Sequence, residues 1–87
     1  MTIAVSTSPP DRPHEILDTV TAIGVSTRVT FKGGPHLDEA LENCKEKLRE
    51  YAAELGADAV VSCQFETHFD SHTINLAGFG TAVRWER

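Results

Sequence analysis

The sequence predicts an α+β fold with two layers, in which one long helix packs on an antiparallel β-sheet in the order β-β-α-β-β. Between Leu37 and Leu55, apolar residues recur at steps of three and four, which places them on one face of a helix. Gly56 follows at the position where a helix typically ends in a left-handed residue. From Ala59 to Thr67 the apolar period changes to about two, which indicates a half-buried strand under the helix.

The other elements surround this helix and strand. Residues 2–7 alternate and predict a short edge strand, and the proline-containing segment 8–13 predicts a rigid connector. Residues 15–31 are rich in β-branched side chains, which predicts one long strand or two strands broken near Gly24. A hairpin loop at 69–72 and a strand at 73–85 complete a single domain over residues 1–87.

The strand after the helix has two different faces. The residues that we expect on the face toward the helix are Ala59, Val61, Cys63 and Phe65, although Val60 breaks the alternation. Those expected on the face away from the helix are Ser62, Gln64, Glu66 and His68. This second, polar face is the surface that we predict to meet a neighbouring subunit or a ligand.

The apolar residues of the last strand change from even to odd positions near Gly78 and Gly80. Those at even positions are Ile74 and Leu76, and those at odd positions are Ala77, Phe79, Val83 and Trp85. Two interpretations stand. Either a bulge near the glycines switches the inward face, or both faces are buried and another subunit covers the face away from the helix.

Composition excludes several classes of function. The formal charge is −5 and the 8 Lys and Arg residues are scattered, whereas nucleic-acid binding needs a basic patch. No apolar run approaches the roughly 20 residues of a membrane span. The first residues lack the basic and apolar segments of a secretory signal, so we expect a cytoplasmic protein. Its two cysteines, Cys44 and Cys63, are expected to be reduced and packed between helix and sheet.

Four segments carry a resemblance to a known family: 2–7 (TIAVST), 23–25 (IGV), 54–61 (ELGADAVV) and 80–83 (GTAV). The chain resembles the YbjQ-type or UPF0145 family, also named putative heavy-metal-binding. The resemblance implies a dodecin-like subunit that assembles into a homo-oligomeric ring, commonly a pentamer, in which short strands join neighbours. It brings no catalytic residues. The connection from Ser26 to Gly34 is shorter than the insertion that members often carry there.

Candidate metal ligands lie around the hairpin loop. His68, Asp70 and His72 can converge there on a divalent transition metal such as Zn, Ni or Cu. The alternative is that two histidines in an exposed turn are ordinary polar loop residues. No serine or cysteine lies in a nucleophile–base motif, so we expect no enzyme activity.

A wider set of residues is predicted to form a ligand site or subunit interface: Ser62, Gln64, Glu66, Phe79 and Trp85. The two aromatic side chains either pack in the core or line a pocket between subunits for a flat apolar ligand. The sequence therefore predicts a non-enzymatic, homo-oligomeric domain that binds a small ligand or a metal ion. The alternative is a structural or protein-interaction ring that has no ligand.

Overall fold

The computed structural model describes residues 3–27, 37–69 and 73–86, in which one helix packs on a four-stranded sheet. The elements are β1 (Ala4–Val5), β2 (His14–Thr27), α1 (Leu37–Glu54), β3 (Ala59–Phe69) and β4 (Thr73–Trp85). The predicted α+β class is confirmed. The order β-β-α-β-β holds only when the two-residue β1 is counted, because the long elements run β-α-β-β. The part of the predicted second strand beyond Thr27 lies outside the described residues.

The sheet has the strand order β1-β3-β4-β2. β2 and β3 both pair antiparallel with β4, whereas β1 pairs parallel with β3. The sheet is therefore mixed, and the prediction of a purely antiparallel sheet is wrong for its first strand. Parallel neighbours need a connection that returns the chain to the starting end of the sheet. Residues 6–13 contribute to this return, since they link the end of β1 to the start of β2.

A bulge in β3 divides the strand into two parts with opposite facing patterns. Its pairing with β4 shifts register between Val61 and Gln64, and Ser62 adopts a positive φ of 54°. A bulge inserts an extra residue into one strand and so reverses the face on which the following side chains lie. Cys63 therefore faces the helix, while Val61, two residues earlier, faces away from it.

The predicted facing pattern of β3 is thus wrong in its first half. Ala59 and Val61 pack with Val83 and Trp85 on the sheet face away from α1, and Val60 packs in the main core. In the second half the prediction holds. Cys63 is buried in the main core, and Phe65, which lies opposite the buried Gly78 of β4, packs against this core. The inward and outward alternation is regular from Ala59 to Val61, where the sequence suggested an interruption at Val60. It is interrupted instead at the bulge at Ser62.

β4 itself keeps one alternation throughout. Its residues at even positions from Ile74 to Ala82 are buried, including Gly78 and Gly80. A Cβ atom at Gly78 would lie 2.6 Å from Cys44 Sγ, and one at Gly80 would lie 2.6 Å from Cys63 Sγ. The glycines therefore mark a close approach of side chains to the strand, and the bulges lie in the neighbouring strands.

The core lies between α1 and the sheet. The helix residues with no exposed surface are Ala40, Cys44, Leu48 and Ala52. This stripe is narrower than predicted, because Leu37, Tyr51 and Leu55 are 38–47% exposed. Small residues along the stripe let the helix approach the backbone of β2 closely. Gly56 has the left-handed φ of 73° predicted for the helix end.

Candidate functional site

The sheet face that points away from α1, which we call the open sheet face, brings together most of the residues singled out in the sequence. Antiparallel pairing places directly opposite residues on the same face of a sheet. Three rows result, each running from β3 through β4 to β2. They are Gln64, Phe79 and Thr21; Glu66, Ala77 and Ile23; and His68, Asn75 and Val25.

Two of the three rows grade from polar on β3 to apolar on β2, and the first row ends in the polar Thr21. The three β3 side chains are exposed, and the β4 side chains are half-buried. On β2, Ile23 is 55% and Val25 is 36% exposed, and Ile16 further along the same face is 66% exposed. These exposed β-branched residues were not predicted as site residues from the sequence. The signal for them was the alternation of β2 around Gly24.

The other predicted site residues lie away from the rows. Ser62 is exposed at the bulge, where its backbone N–H donates to the Ser8 carbonyl at 3.0 Å. Trp85 lies on the same face of β4 as Phe79 but six residues further on, which corresponds to about 20 Å. The predicted set is therefore split between the rows and the far end of the sheet.

The metal candidates are only partly described. His68 is exposed in the third row, with Glu66 two residues before it on the same face. Asp70 and His72 lie outside the described residues. Within residues 3–27, 37–69 and 73–86, no group of three or more His, Cys, Asp or Glu side chains is placed to hold a metal ion. Glu66 and His68 would supply two donors, fewer than the four of a structural zinc site.

Both cysteines lie in the core as predicted, and neither forms a disulfide. Cys44 Sγ donates to the Ala22 carbonyl at 3.5 Å. Burial raises the pKa of both thiols, and hydrogen bonds from the backbone offset only part of this effect. Since metal binding and nucleophilic attack require the thiolate, this setting favours a packing role for Cys44 and Cys63.

The edge of the sheet at β2 is occupied by side chains. Asn43 Nδ2 donates to the Val25 carbonyl at 3.0 Å, and Lys47 Nζ donates to the Ile23 carbonyl at 2.8 Å. Exposed strand edges otherwise attract strands from other chains. The two helix side chains therefore disfavour strand addition along this part of β2.

A second apolar cluster covers the far end of the open sheet face. Ala59, Val61 and Val83 are buried there, with Trp85 packed against them. The guanidinium of Arg12 lies 4.9 Å from the centre of the Trp85 ring, a cation–π contact. From the sequence, segment 8–13 is predicted only to connect two strands. The signal for its covering role was that Val83 and Trp85, at odd positions near the end of β4, are apolar and need other residues to cover them.

Several known proteins are similar to this chain. Residues 14–86 match the model of a family described as putative heavy-metal-binding. A UPF0145 protein of Bacillus velezensis is 40% identical over 50 residues, which cover 58% of this chain and 45% of that protein. A UPF0145 protein of Bacillus licheniformis is 40% identical over 47 residues, covering 54% and 46%. The chain thus matches less than half the length of these relatives.

A solved structure shares the fold. The crystal structure of a protein of unknown function from Pediococcus pentosaceus, which belongs to the DUF74 family, superposes with a TM-score of 0.84. The superposition covers 97% of this chain and 98% of that chain, at 17% sequence identity. At this identity the likeness shows the fold alone. Among the described residues, no helix has the length and apolarity needed to cross a membrane.

Proposed function

Because the chain belongs to the family described as putative heavy-metal-binding, as the match over residues 14–86 shows, we propose that it is a non-enzymatic binding domain that works as a homo-oligomer. The family resemblance inferred from the sequence is thereby confirmed. The observation that carries the proposal is the set of exposed apolar side chains of β2 on the open sheet face, which we call the stripe: Ile23 and Val25 lie together, and Ile16 lies further along, beyond two threonines.

The stripe supports self-association on energetic grounds. Fully burying an exposed Ile or Val side chain contributes roughly 1.5–3 kcal/mol, and these side chains have 36–66% of their surface still to bury. An 87-residue domain also has a small core of its own. The caps on the β2 edge favour contact through the face over contact through that edge. We propose a second copy of this chain as the partner and a pentameric ring as the assembly. We further propose that the ring acts in the cytoplasm, which the two free cysteines support.

The ligand in this proposal is a small molecule or a divalent transition metal. His68 would hold the metal together with Asp70 and His72, with Glu66 and Gln64 on the adjacent rows. A bound metal would supply a fixed positive charge that attracts an anionic or electron-donating group. The alternative proposal is a structural ring with no ligand, in which the assembly itself is the functional unit.

Sedimentation equilibrium tests the assembly. We expect a mass about five times the 9.5 kDa of the chain, and a smaller mass for Ile23→Asp. Tyr51→Asp is the matched control, because Tyr51 is 43% exposed on α1 and not on the open sheet face. A monomeric wild type would refute self-association. Unchanged assembly of Ile23→Asp would refute the open sheet face as the contact surface.

Calorimetry tests the ligand. Protein purified without a histidine tag is titrated with Zn²⁺, Ni²⁺ and Cu²⁺, and we expect heat that disappears in the His68→Ala/His72→Ala variant. His14→Ala is the control for nonspecific imidazole binding, because His14 lies at the opposite end of β2 from the loop. The absence of heat for the wild type would reject the metal and favour the ring without a metal.

A further inference from the structure

A small cavity lies where the N-terminal segment crosses the far end of the open sheet face. Its volume is about 180 Å³, enough for about six water molecules. The side chains that matter for its chemistry are Pro9, Pro10, Asp11, Val61 and Trp85. It is separate from the loop that carries the candidate metal ligands, since Trp85 and His68 are at opposite ends of the sheet.

The walls of the cavity are held in place by backbone hydrogen bonds. The Ser6 N–H donates to the Val60 carbonyl at 2.9 Å, and the Ser6 carbonyl accepts from the Cys63 N–H at 2.9 Å. The Ser8 carbonyl accepts from the N–H of Ser62, the residue with positive φ at the bulge. Two consecutive prolines stiffen the remaining wall. The cavity is therefore preformed, which reduces the ordering cost of binding a ligand.

The aromatic wall is fixed, and Arg12 already occupies a cation–π position on its ring. The backbone N–H of Trp85 donates to the Asp58 carboxylate at 2.8 Å, and the backbone N–H of Glu86 donates to the Pro13 carbonyl at 3.0 Å. The Arg12 guanidinium lies over the ring. A ligand in the cavity would therefore contact the rest of the indole through an apolar body, not through its charge.

A negatively charged residue lies at the cavity. Asp11 contributes to the lining and is exposed. Among residues 3–27, 37–69 and 73–86, no other side chain or backbone group forms an ion pair or hydrogen bond with its carboxylate. A neutral apolar ligand would remove water from this carboxylate without compensation. Arg12, the neighbouring cation that could attract an anion, is already placed over the Trp85 ring.

We infer that this cavity binds a small organic cation of the alkylammonium class. Its charged head pairs with Asp11, and its alkyl body contacts Trp85, Pro9 and Pro10. The inference goes beyond the proposed function, because it assigns a ligand class to a site that contains neither the exposed stripe of β2 nor the candidate metal ligands.

Fluorescence tests the inference directly, because Trp85 is the single tryptophan of the chain. We titrate the full chain with n-butylammonium chloride at constant ionic strength. A saturable change in emission is expected in the millimolar range, which suits a ligand of this size. The shift of the indole N–H signal in a ¹H–¹⁵N spectrum provides a second readout. The neutral n-butanol should bind at least about tenfold more weakly, because it lacks the charge-assisted contact.

Two variants decide the role of the carboxylate. Asp11→Asn should weaken n-butylammonium binding about tenfold or more. Asp38→Asn, which makes the same change at the start of α1, should bind as the wild type does. The inference is overturned if neither readout saturates, if n-butanol binds equally well, or if Asp11→Asn retains wild-type affinity. These results are independent of the sedimentation and metal titrations, so a failure here is distinguishable from a failure of the proposed function.

Discussion

The helix backbone lies directly against Gly24 of β2, and Gly24→Ala should therefore damage the fold severely. A Cβ atom at this position would lie 2.5 Å from the backbone N of Cys44 and 2.9 Å from its Cβ, and it would also meet the Ala40 carbonyl. The first and last of these atoms belong to the helix backbone, which has no rotamer to change. Relief requires α1 to move away from β2, although Ala40 and Cys44 are both fully buried.

The magnitude follows from comparison with ordinary overpacking. Extra methyl groups in a packed core typically cost about 1–3 kcal/mol when side chains can shift. Because the contact here is with backbone, we expect a loss of about 3 kcal/mol or more. Replacing Gly by Ala also restricts the unfolded chain, but this offsets only about 0.4–1 kcal/mol. The total stability of an 87-residue domain is about 4–13 kcal/mol, so the loss is a large fraction of it.

Urea unfolding at one fixed protomer concentration measures this loss, since association would shift the midpoint with concentration. Gly78→Ala is the matched control. Its added Cβ would meet Cys44 Sγ at 2.6 Å and the Phe65 ring at 2.8 Å, both of which are side-chain atoms that can shift. We expect Gly78→Ala to cost less than Gly24→Ala. Equal costs, or a Gly24→Ala variant within about 0.5 kcal/mol of the wild type, would refute the backbone contact.

Other regions of the fold provide further tests. Burial raises the pKa of the Cys44 and Cys63 thiols above the ordinary 9.0, so the unfolded chain loses these protons first. Their contribution to the free energy of unfolding is constant below about pH 9 and falls above it. Urea midpoints measured against pH should show this fall. Midpoints without it would mean that the two thiols titrate normally. Replacing Asn43 by Ala and Lys47 by Met uncaps the β2 edge, and light scattering should show stronger association; an unchanged signal would contradict the capping role. Ser62→Gly should raise stability by up to about 1 kcal/mol in thermal unfolding, because glycine accepts a positive φ without strain, and a lower midpoint would count against the bulge.

The helix and its end could be predicted from sequence because both depend on local features. The apolar spacing of 37–55 and the left-handed Gly56 need no information about distant residues. The bounds of β4, 73–85, were predicted for the same reason, since its turn and strand residues lie next to each other in the chain.

The pairing of β1 could not be predicted in this way. Its parallel direction depends on how residues 6–13 cross the sheet, and the local sequence of a two-residue strand does not determine this. The helix stripe was also predicted too wide. Tyr51 has the right spacing for the buried face, yet it is 43% exposed, because the helix approaches β2 closely through the small residues Ala40 and Cys44.

The bulge at Ser62 had no sequence signal and has the largest consequence for function. Serine has no intrinsic preference for a positive φ; its N–H is held by the Ser8 carbonyl, a contact 54 residues away in the chain. Without the extra residue, a strand with Val61 on the open sheet face would turn Gln64 and Glu66 toward the helix and place Cys63 and Phe65 in solvent. Burying the Glu66 charge beneath α1 would cost more than the bulge does. The bulge thus joins an apolar wall of the cavity to the polar rows within one strand, so each site depends on the position of Ser62.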